Sequence, residues 1–462
     1  MFHNQTYIAR RTHLKKQFSS GIILLPGNRD ESRNFKDNTY PFRQDSSFLF
    51  YFGLSHSGLA GIMDLDEDTD RIYGNDLSID DIVWMGYQPT IRERAERAGV
   101  TETGSLDDLA GALKAARAKG RTIHFLPPYR PENRMLLSRW LDIPFEKVNS
   151  AASVELIRAV VAQREIKTDE ELAEIGRAVD TSVDMHTAAM EMVRPGMKES
   201  AVAARMEEIA LAAGGASSFL PIATVHGETL HNHYHGNRME EGQLFLLDAG
   251  AETAMGYAGD LSSTIPVSPR FSDRQKEIYT ISLEAHDAAI RALKPGVPFR
   301  DIYYEASRRI VGGLKELGLM KGDTDEALRQ GAHAQFFPCG LGHQMGLDVH
   351  DMEDLGEVWV GYDGESKSTQ FGLKSLRLAK PLKPGMVLTI EPGIYFIPAL
   401  MDLWRKEGRH TDFICYDRLV EWRSFGGIRN EENFVITETG ARLLGKPKPK
   451  TIADVEALRI GR

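Results

Sequence analysis

Two aspartates lie in a stretch of the chain that otherwise has the composition of buried strands. Asp248 ends the apolar run LFLL, and Asp260 follows twelve residues later inside GYAGDLSSTIPV. The small residues between them permit a hairpin that brings the two carboxylates side by side. A buried carboxylate without a partner is costly or takes up a proton, and two close carboxylates repel each other. The pair therefore predicts a bound cation, and we interpret both residues as metal ligands.

Three further polar residues occupy the same kind of position, at the end of an apolar segment. His343 is flanked by glycines in GLGHQMG, Glu391 ends the run GMVLTIE, and Glu431 precedes the run NFVIT. Taken singly, each such residue is more often a satisfied core residue or a polar group at a strand end than a metal ligand. Together with Asp248 and Asp260, they predict a single metal-binding shell.

The charge of this shell matches two divalent ions. Four carboxylates and one neutral imidazole carry four negative charges, which two divalent cations neutralise, leaving room for a bridging hydroxide as the nucleophile. An oxygen-rich shell with one nitrogen and no sulfur suits Mn²⁺, with Co²⁺, Fe²⁺ or Zn²⁺ as alternatives. Two such ions lower the pKa of the water between them and polarise the carbonyl that it attacks. The reaction expected is hydrolysis.

Composition excludes several other classes of protein. The 462 residues, 42% hydrophobic and 26% charged, are typical of a soluble enzyme with at least two domains. A net charge of −10 argues against nucleic acid as the main partner. Two cysteines cannot build a disulfide framework, which favours a reducing compartment. No apolar run approaches the length of a membrane span, so we expect a cytoplasmic protein without a membrane partner.

Residues 1–165 have the alternating pattern of an α/β domain. Strands are predicted at 21–27 and 58–66, and a capped helix is predicted at 105–120. Between the two strands lies the aromatic segment YPFRQDSSFLFYFG, residues 40–53. We predict a core strand and turn there, in preference to a ligand-facing role.

The pattern changes in residues 166–462, which we assign to a separate catalytic domain. A long helix opens with Thr168 and Glu171 at capping-box spacing, stops at a Pro-Gly pair and is followed by a second helix. About one hundred residues later Ser272 and Gln275 open a second such pair. The repeated order predicts an internal duplication of two helix-plus-sheet halves. Mere reuse of a helix-stop signal is the alternative.

Four segments of this second domain resemble the motifs of one family, the proline-specific peptidases of the pita-bread metallopeptidases. In chain order they are DAGAETAMGYAGD, GLGHQMGLDVHD, LKPGMVLTIEPGIYF and GGIRNEENFVITETG. The family contains Xaa-Pro aminopeptidase and Xaa-Pro dipeptidase (prolidase). The resemblance implies an α+β fold in which a pita-bread catalytic domain with a pseudo-twofold duplication follows an N-terminal α/β domain of the creatinase/prolidase type.

The resemblance also implies roles for individual residues. The five ligands predicted above would hold two metal ions, typically manganese, and Glu391 would also be the general acid and base. His350 and His233 match histidines that line the substrate site and stabilise the tetrahedral intermediate. Arg429 matches an arginine that can meet a carboxylate bidentately, and Tyr395 matches the family's tyrosine in EPGIY.

Two departures from the family pattern concern the surroundings of the ligands. The interval between the two aspartates is one residue longer than usual, which we place at residues 252–255, and Asn430 occupies a position that is normally apolar. A third feature is the alternation of His231, His233 and His235, which would share one face of a strand. An independent metal site there is the alternative to one catalytic histidine with two exposed neighbours.

The resemblance predicts an enzyme that removes the first residue of small peptides with proline at the second position, a Xaa-Pro aminopeptidase. A dipeptidase is the alternative, because the long stretch after EPGIYF is more similar to prolidase. A metal-free binding protein or a creatinase-like amidinohydrolase is disfavoured by the complete ligand set. The family also implies a homodimer or homotetramer.

Overall fold

The computed structural model describes residues 1–460, and the chain divides into two compact units. The first comprises Met1–Arg164 with Met352–Trp359, and the second comprises Glu165–Asp351 and the chain from Val360 onward. The fold is α+β, as the sequence predicts. Within the described residues, no helix combines the length and the apolar character that crossing a membrane requires.

The first unit is an α/β domain around a five-stranded sheet of order β4-β3-β2-β1-β5. Strand β1 pairs antiparallel with β2 and parallel with β5. Its elements are α1 (Asn4–Lys15), β1 (Ile22–Pro26), α2 (Ser46–Phe52), β2 (Ala60–Asp64), β3 (Thr69–Tyr73), α3 (Ile79–Met85), α4 (Ile91–Arg97), β4 (Glu102–Gly104), α5 (Leu106–Ala118), β5 (Ile123–Phe125), α6 (Pro131–Leu141) and α7 (Val154–Arg164). The strands and the helix predicted at 21–27, 58–66 and 105–120 are confirmed as β1, β2 and α5.

The strand predicted at residues 40–53 is wrong, because this segment contains helix α2. The carboxylate of Asp45 accepts a hydrogen bond from the Phe48 N–H at 2.8 Å and caps the first turn. Gly53 ends the helix with a φ of 68°, in the left-handed region that glycine tolerates. Aromatic residues on all sides of α2 are buried, so the sequence has no polar stripe to distinguish a helix from a strand.

The second unit contains two three-stranded sheets, of order β10-β8-β7 and β11-β14-β15, and two short ribbons, β12-β13 and β6-β9. The elements that follow α7 are α8 (Asp169–Met192), α9 (Glu199–Ala212), β6 (Ala216–Ser217), β7 (Ile222–Thr224), β8 (Leu244–Ala249), β9 (Ala251–Glu252), β10 (Leu261–Pro266), α10 (Asp273–Ala292), α11 (Phe299–Glu316), α12 (Thr324–Gln330), α13 (Glu357–Val360), β11 (Val387–Ile390), β12 (Gly393–Tyr395), α14 (Pro398–Lys406), α15 (Tyr416–Leu419), β13 (Gly427–Arg429), β14 (Glu432–Ile436), β15 (Ala441–Leu443) and α16 (Ile452–Ile460).

The duplication predicted from the sequence is present as two helix pairs, α8 with α9 and α10 with α11, each followed by one of the three-stranded sheets. Both predicted capping boxes form: Thr168 with Glu171 opens α8, and Ser272 with Gln275 opens α10. After each first helix, the Pro-Gly pair turns the chain at a glycine of positive φ, Gly196 at 85° and Gly296 at 81°. The two halves share one hydrophobic core, which fixes the two sheets relative to each other.

Candidate metal centre

Strand pairing in the first half brings the two aspartates to the same face of their sheet. Strands β8 and β10 pair antiparallel with Asp248 opposite Ser262. Asp260 precedes Ser262 by two residues, and side chains two apart in an extended segment point to the same face. Asp248 and Asp260 are therefore diagonal neighbours, at the range where carboxylates interact. The turn at residues 253–256 closes the connection with a hydrogen bond from Gly256 N–H to Thr253 O at 2.8 Å.

Strand pairing in the second half produces a matching pair of glutamates. Strands β11 and β14 pair antiparallel with Ile390 opposite Glu432. The next position along this register sets Glu391 opposite Glu431, immediately beyond the ends of the paired strands. Each sheet thus contributes two carboxylates from adjacent chain segments, which is the arrangement that the duplication predicts.

The imidazole of His343 directs one ring nitrogen at the carboxylates. Its Nδ1 lies 3.0 Å from the carbonyl oxygen of Gln344, and because a carbonyl only accepts, Nδ1 carries the proton. The other nitrogen, Nε2, therefore presents a lone pair, 3.3 Å from Asp260 Oδ2 and 3.5 Å from Glu391 Oε1. This tautomer is the one that a metal-binding histidine requires. Asp260, Glu391 and Glu431 each lie one residue beyond the end of a strand, whereas His343 lies beside a single bridge between Gln344 and Leu388.

Three of the five predicted ligands form a group with the geometry of a metal site. Ligand atoms of Asp260, His343 and Glu431 all lie within 4.8 Å of one another, and all three residues are buried. Within the described residues, three buried carboxylate oxygens of the site have no hydrogen-bond partner: Asp248 Oδ1, Asp260 Oδ1 and Glu431 Oε1. Oxygen atoms buried without partners are costly, and a divalent cation coordinated by oxygen and one imidazole nitrogen would satisfy them. The donor set therefore fits a divalent metal.

Burial and mutual repulsion both favour the protonated form of these carboxyl groups. Burial, followed by the charge of Asp248, raises the pKa of Asp260 to about 8. Burial also raises the pKa of Glu391, and it raises the pKa of Glu431 well above its usual range, with Asp260 and Glu391 adding to the effect. Without a cation, the site holds protons that acidic side chains normally lose.

Arg429 is the permanent cation of the site. Its Nη2 donates to Asp248 Oδ2 at 2.6 Å, its Nη1 donates to the Tyr395 hydroxyl at 2.9 Å, and its Nε donates to Ser262 Oγ at 2.9 Å. The Ser262 hydroxyl in turn donates to Glu431 Oε2 at 2.8 Å. The guanidinium thus links one ligand from each half, and the carboxylate that Arg429 meets in this structure is that of Asp248.

The predicted substrate histidines have different surroundings. The ring of His350 lies edge-on to that of His343, with centroids 4.2 Å apart. The side chains of His231 and His233 are both exposed. His231 interacts with charges of the site: partial desolvation lowers its pKa, Arg429 lowers it further, and Asp248 raises it. Residues 231–235 form a loop, so the strand face expected for the three histidines is wrong. Among the described residues, no group of three ligands forms in this loop.

Several residues that hold the ligands in place are ordinary polar residues that no sequence pattern distinguishes. The Asn433 amide accepts from the Asp260 N–H and donates to the Asp260 carbonyl, at 3.1 and 2.6 Å. The Thr389 hydroxyl accepts from the His343 N–H at 3.1 Å and donates to Glu391. Asn430 also has partners: its amide nitrogen donates to the Ser282 hydroxyl at 3.4 Å, and its carbonyl oxygen lies 3.1 Å from the Tyr279 hydroxyl.

The chain belongs to metallopeptidase family M24, whose family model matches residues 173–438. A second model, aminopeptidase P, N-terminal domain, matches residues 7–124. The family inferred from the four motifs is therefore confirmed, and the chain is a hydrolase of the metallopeptidase class with the two-domain architecture of that family.

Relatives within the family span nearly the whole chain. The Xaa-Pro dipeptidase of Homo sapiens is 30% identical over 453 residues, which cover 96% of this chain and 89% of the relative. The Xaa-Pro aminopeptidase of Escherichia coli (strain K12) is 30% identical over 468 residues, covering 99% and 98%. The structure of Pseudomonas aeruginosa aminopeptidase PepP matches with a TM-score of 0.82 at 27% identity, covering 100% of this chain and 98% of that one. Both substrate classes thus occur among the relatives.

The raised pKa values predict that divalent ions displace protons from the site. At pH 7, Asp260 with a pKa of about 8 holds a proton in the metal-free protein, and a coordinating carboxylate must lose it. Calorimetric titration of Mn²⁺ into chelator-treated protein, in buffers of different ionisation enthalpy, should show net proton release at pH 7. The release should fall in Asp260→Asn and stay unchanged in Glu241→Gln, an exposed control. Metal binding without proton release in the wild type would contradict the protonation described here.

Proposed function

We propose that this protein hydrolyses the Xaa-Pro bond at the amino terminus of small peptides, as a Xaa-Pro aminopeptidase. The proposal rests chiefly on one observation: ligand atoms of Asp260, His343 and Glu431 lie together, and buried carboxylate oxygens of the site have no hydrogen-bond partner. The names of the relatives, which act on Xaa-Pro bonds, supply the substrate class. We further propose that residues 166–462 form the catalytic domain and residues 1–165 form the N-terminal domain.

Two divalent ions, with Mn²⁺ as the first candidate, are proposed for the site. The residues that would hold them are Asp248, Asp260, His343, Glu391 and Glu431. When bound, such ions supply a nucleophilic water of lowered pKa and a Lewis acid for the substrate carbonyl. The family and the donor set support divalent metal binding, and the four carboxylates and one imidazole support the count of two.

Glu391 is proposed as the general acid and base. Its side chain retains 20% exposure, whereas that of Asp260 is only 6% exposed, so Glu391 is the ligand that a substrate can reach more easily. Burial raises the pKa of Glu391, which suits a group that takes a proton from water and returns it. Passing that proton to the leaving nitrogen lets the C–N bond break with a neutral amine as the leaving group.

The remaining predicted residues are proposed to bind and orient the peptide. His350, packed against His343, would donate a hydrogen bond to the developing oxyanion. Arg429 and Tyr395 would hold Asp248 in place next to the substrate's amino end. The family resemblance predicts a second such contact from His233, but the charges near His231, those of Arg429 and Asp248, favour His231 for that contact.

One observation favours the dipeptidase as a second candidate. His231 is influenced by Arg377 as well as by Arg429 and His350, so a further guanidinium lies close to the substrate histidines. An enzyme restricted to dipeptides needs a cation for the substrate's carboxylate, and arginine is suited to bidentate recognition of that group.

Self-association, as a homodimer or homotetramer, is also proposed. Helix α3 has no buried residue, and it exposes large apolar side chains: Ile79, Val83, Trp84 and Met85 are 57–87% exposed. Contiguous apolar residues on a surface are typical of a protein interface. A cytoplasmic location remains our expectation, supported by two cysteines that are both free.

Replacing Glu391 tests the proposed chemistry. Glu391→Gln keeps the shape of the side chain but removes the proton acceptor and one anionic ligand, so kcat should fall by about 10²–10⁴-fold and the metal should be retained less tightly. Turnover of a Xaa-Pro peptide and metal content after gel filtration measure the two effects. Full activity in Glu391→Gln would contradict the role assigned to Glu391. Glu241→Gln, at an exposed position, is the control and should keep wild-type activity.

Single alanine variants in the histidine loop decide between His231 and His233. Loss of a donor to the oxyanion costs about 10²–10³-fold in kcat, and we expect this loss in His231→Ala, with His233→Ala close to wild type. His235→Ala, in the same loop, is the matched control. The reverse pattern would return the role to His233.

Substrate length separates the two peptidases. We expect an aminopeptidase to cleave both Gly-Pro and the longer peptide Gly-Pro-Leu, with Arg377→Ala affecting the two substrates alike. Cleavage of Gly-Pro alone, with a KM that rises in Arg377→Ala while kcat is retained, would replace this proposal with the dipeptidase.

A further inference from the structure

A buried lysine lies behind the proposed metal site, in a short segment that the family model does not reach. The sequence KPKPK at residues 446–450 follows the matched range 173–438. Its outer lysines pair with acidic residues, Lys446 with Asp184 of α8 and Lys450 with Glu432 of β14 at 2.6 Å. The middle one, Lys448, is 5% exposed and points inward. A lysine is rarely buried to this extent unless its ammonium group has a specific task.

The ammonium group of Lys448 binds strand β10 at two adjacent residues. It donates to the carbonyl oxygen of Ser262 and, at 3.0 Å, to the hydroxyl oxygen of Ser263. The same Ser262 carbonyl accepts the N–H of Glu431 at 3.1 Å, and the Ser262 hydroxyl bonds both Glu431 and Arg429. Lys448 therefore binds Ser262, the residue whose hydroxyl and carbonyl groups orient Glu431.

A second chain of hydrogen bonds leads from Lys448 to the other half of the site. The Ser263 hydroxyl lies 2.8 Å from His186 Nδ1, and His186 Nε2 lies 3.0 Å from the carbonyl oxygen of Ala249. Because that carbonyl only accepts, Nε2 carries the proton and Nδ1 accepts from Ser263. The Ser263 oxygen is then left to accept from Lys448. The direction of every hydrogen bond in this series is therefore fixed, and the series ends at Ala249, the residue after Asp248.

We propose that Lys448 is a positioning residue. Its hydrogen bonds to Ser262 and Ser263 set the positions of the Asp248 and Glu431 carboxylates without contacting them. The inference rests on the proposed function, since it assigns these two carboxylates to the metal. Lysine suits this role because an ammonium group has three donors and no acceptor, so Lys448 can only donate to Ser262 and Ser263. Partners in such an outer layer tune the affinity for a metal without touching it.

The test measures Mn²⁺ affinity by calorimetry on chelator-treated full-length protein, at one pH. Lys448→Met keeps the length of the side chain and removes its donors, so we expect Mn²⁺ to bind about 10–100-fold more weakly. Lys446→Met removes a lysine from the same segment at its exposed end and should bind Mn²⁺ as the wild type does. The thermal midpoint of each metal-free variant is recorded alongside, because a purely structural lysine would lower it without changing the affinity.

A double variant shows whether Lys448 acts through Ser262. Ser262→Ala removes the hydroxyl that Lys448 is inferred to orient, so adding Lys448→Met to it should weaken Mn²⁺ binding less than Lys448→Met does in the wild-type background. If the losses of Mn²⁺ affinity in Ser262→Ala and Lys448→Met simply multiply in the double variant, the inference is overturned. Wild-type Mn²⁺ affinity in Lys448→Met would also overturn it.

Two further outcomes are distinguishable. If Lys448→Met does not fold, Ser263→Ala removes one acceptor of the ammonium group and keeps the lysine; wild-type affinity in that variant would overturn the inference, and weaker binding would support it. A wild-type protein that binds no divalent ion would overturn the proposed metal site and this inference together. If the wild type binds Mn²⁺ and Lys448→Met binds it with the same affinity, only the role of Lys448 is overturned.

Discussion

Four carboxylates at one site, with Asp260 and Glu431 buried and Asp248 and Glu391 half-buried, are the constraint on which the catalytic half of this protein depends. Burial, and after it repulsion from neighbouring carboxylates, raises the pKa of Asp260, Glu391 and Glu431. Arg429 provides one fixed positive charge at Asp248, which leaves most of the negative charge uncompensated. Partnerless oxygens and an imidazole lone pair directed at them define a site that is complete only with cations.

The duplicated architecture makes this cluster possible. Each half supplies a long capped helix and a sheet, and each sheet contributes two carboxylates from neighbouring segments. Because the two sheets share one core, the ligand pairs are held at a fixed separation. Ser262 joins the halves at the site itself, since its hydroxyl bonds Arg429 and Glu431 while its backbone lies opposite Asp248. Stability and chemistry are thus supported by the same strands.

The sequence predicted those parts of the molecule that have local chemical causes. The capping boxes at Thr168 and Ser272 formed because their partners lie three residues away, and the ligands were found because a charged group at the end of an apolar run is anomalous. Helix α2 was missed because aromatic residues on all its faces remove the periodic signal. Asn433 and Lys448 were missed because their partners lie 173 and 185 or more residues away along the chain.

The central claim is that the buried carboxylates and His343 hold the metal on which hydrolysis depends. The most direct measurement is the metal content per chain, by elemental analysis, of chelator-treated protein reloaded with Mn²⁺, compared with its rate on a Xaa-Pro peptide. The account predicts an inactive metal-free protein whose activity returns as two ions per chain are bound. Undiminished peptidase activity in protein shown to be free of metal would contradict it.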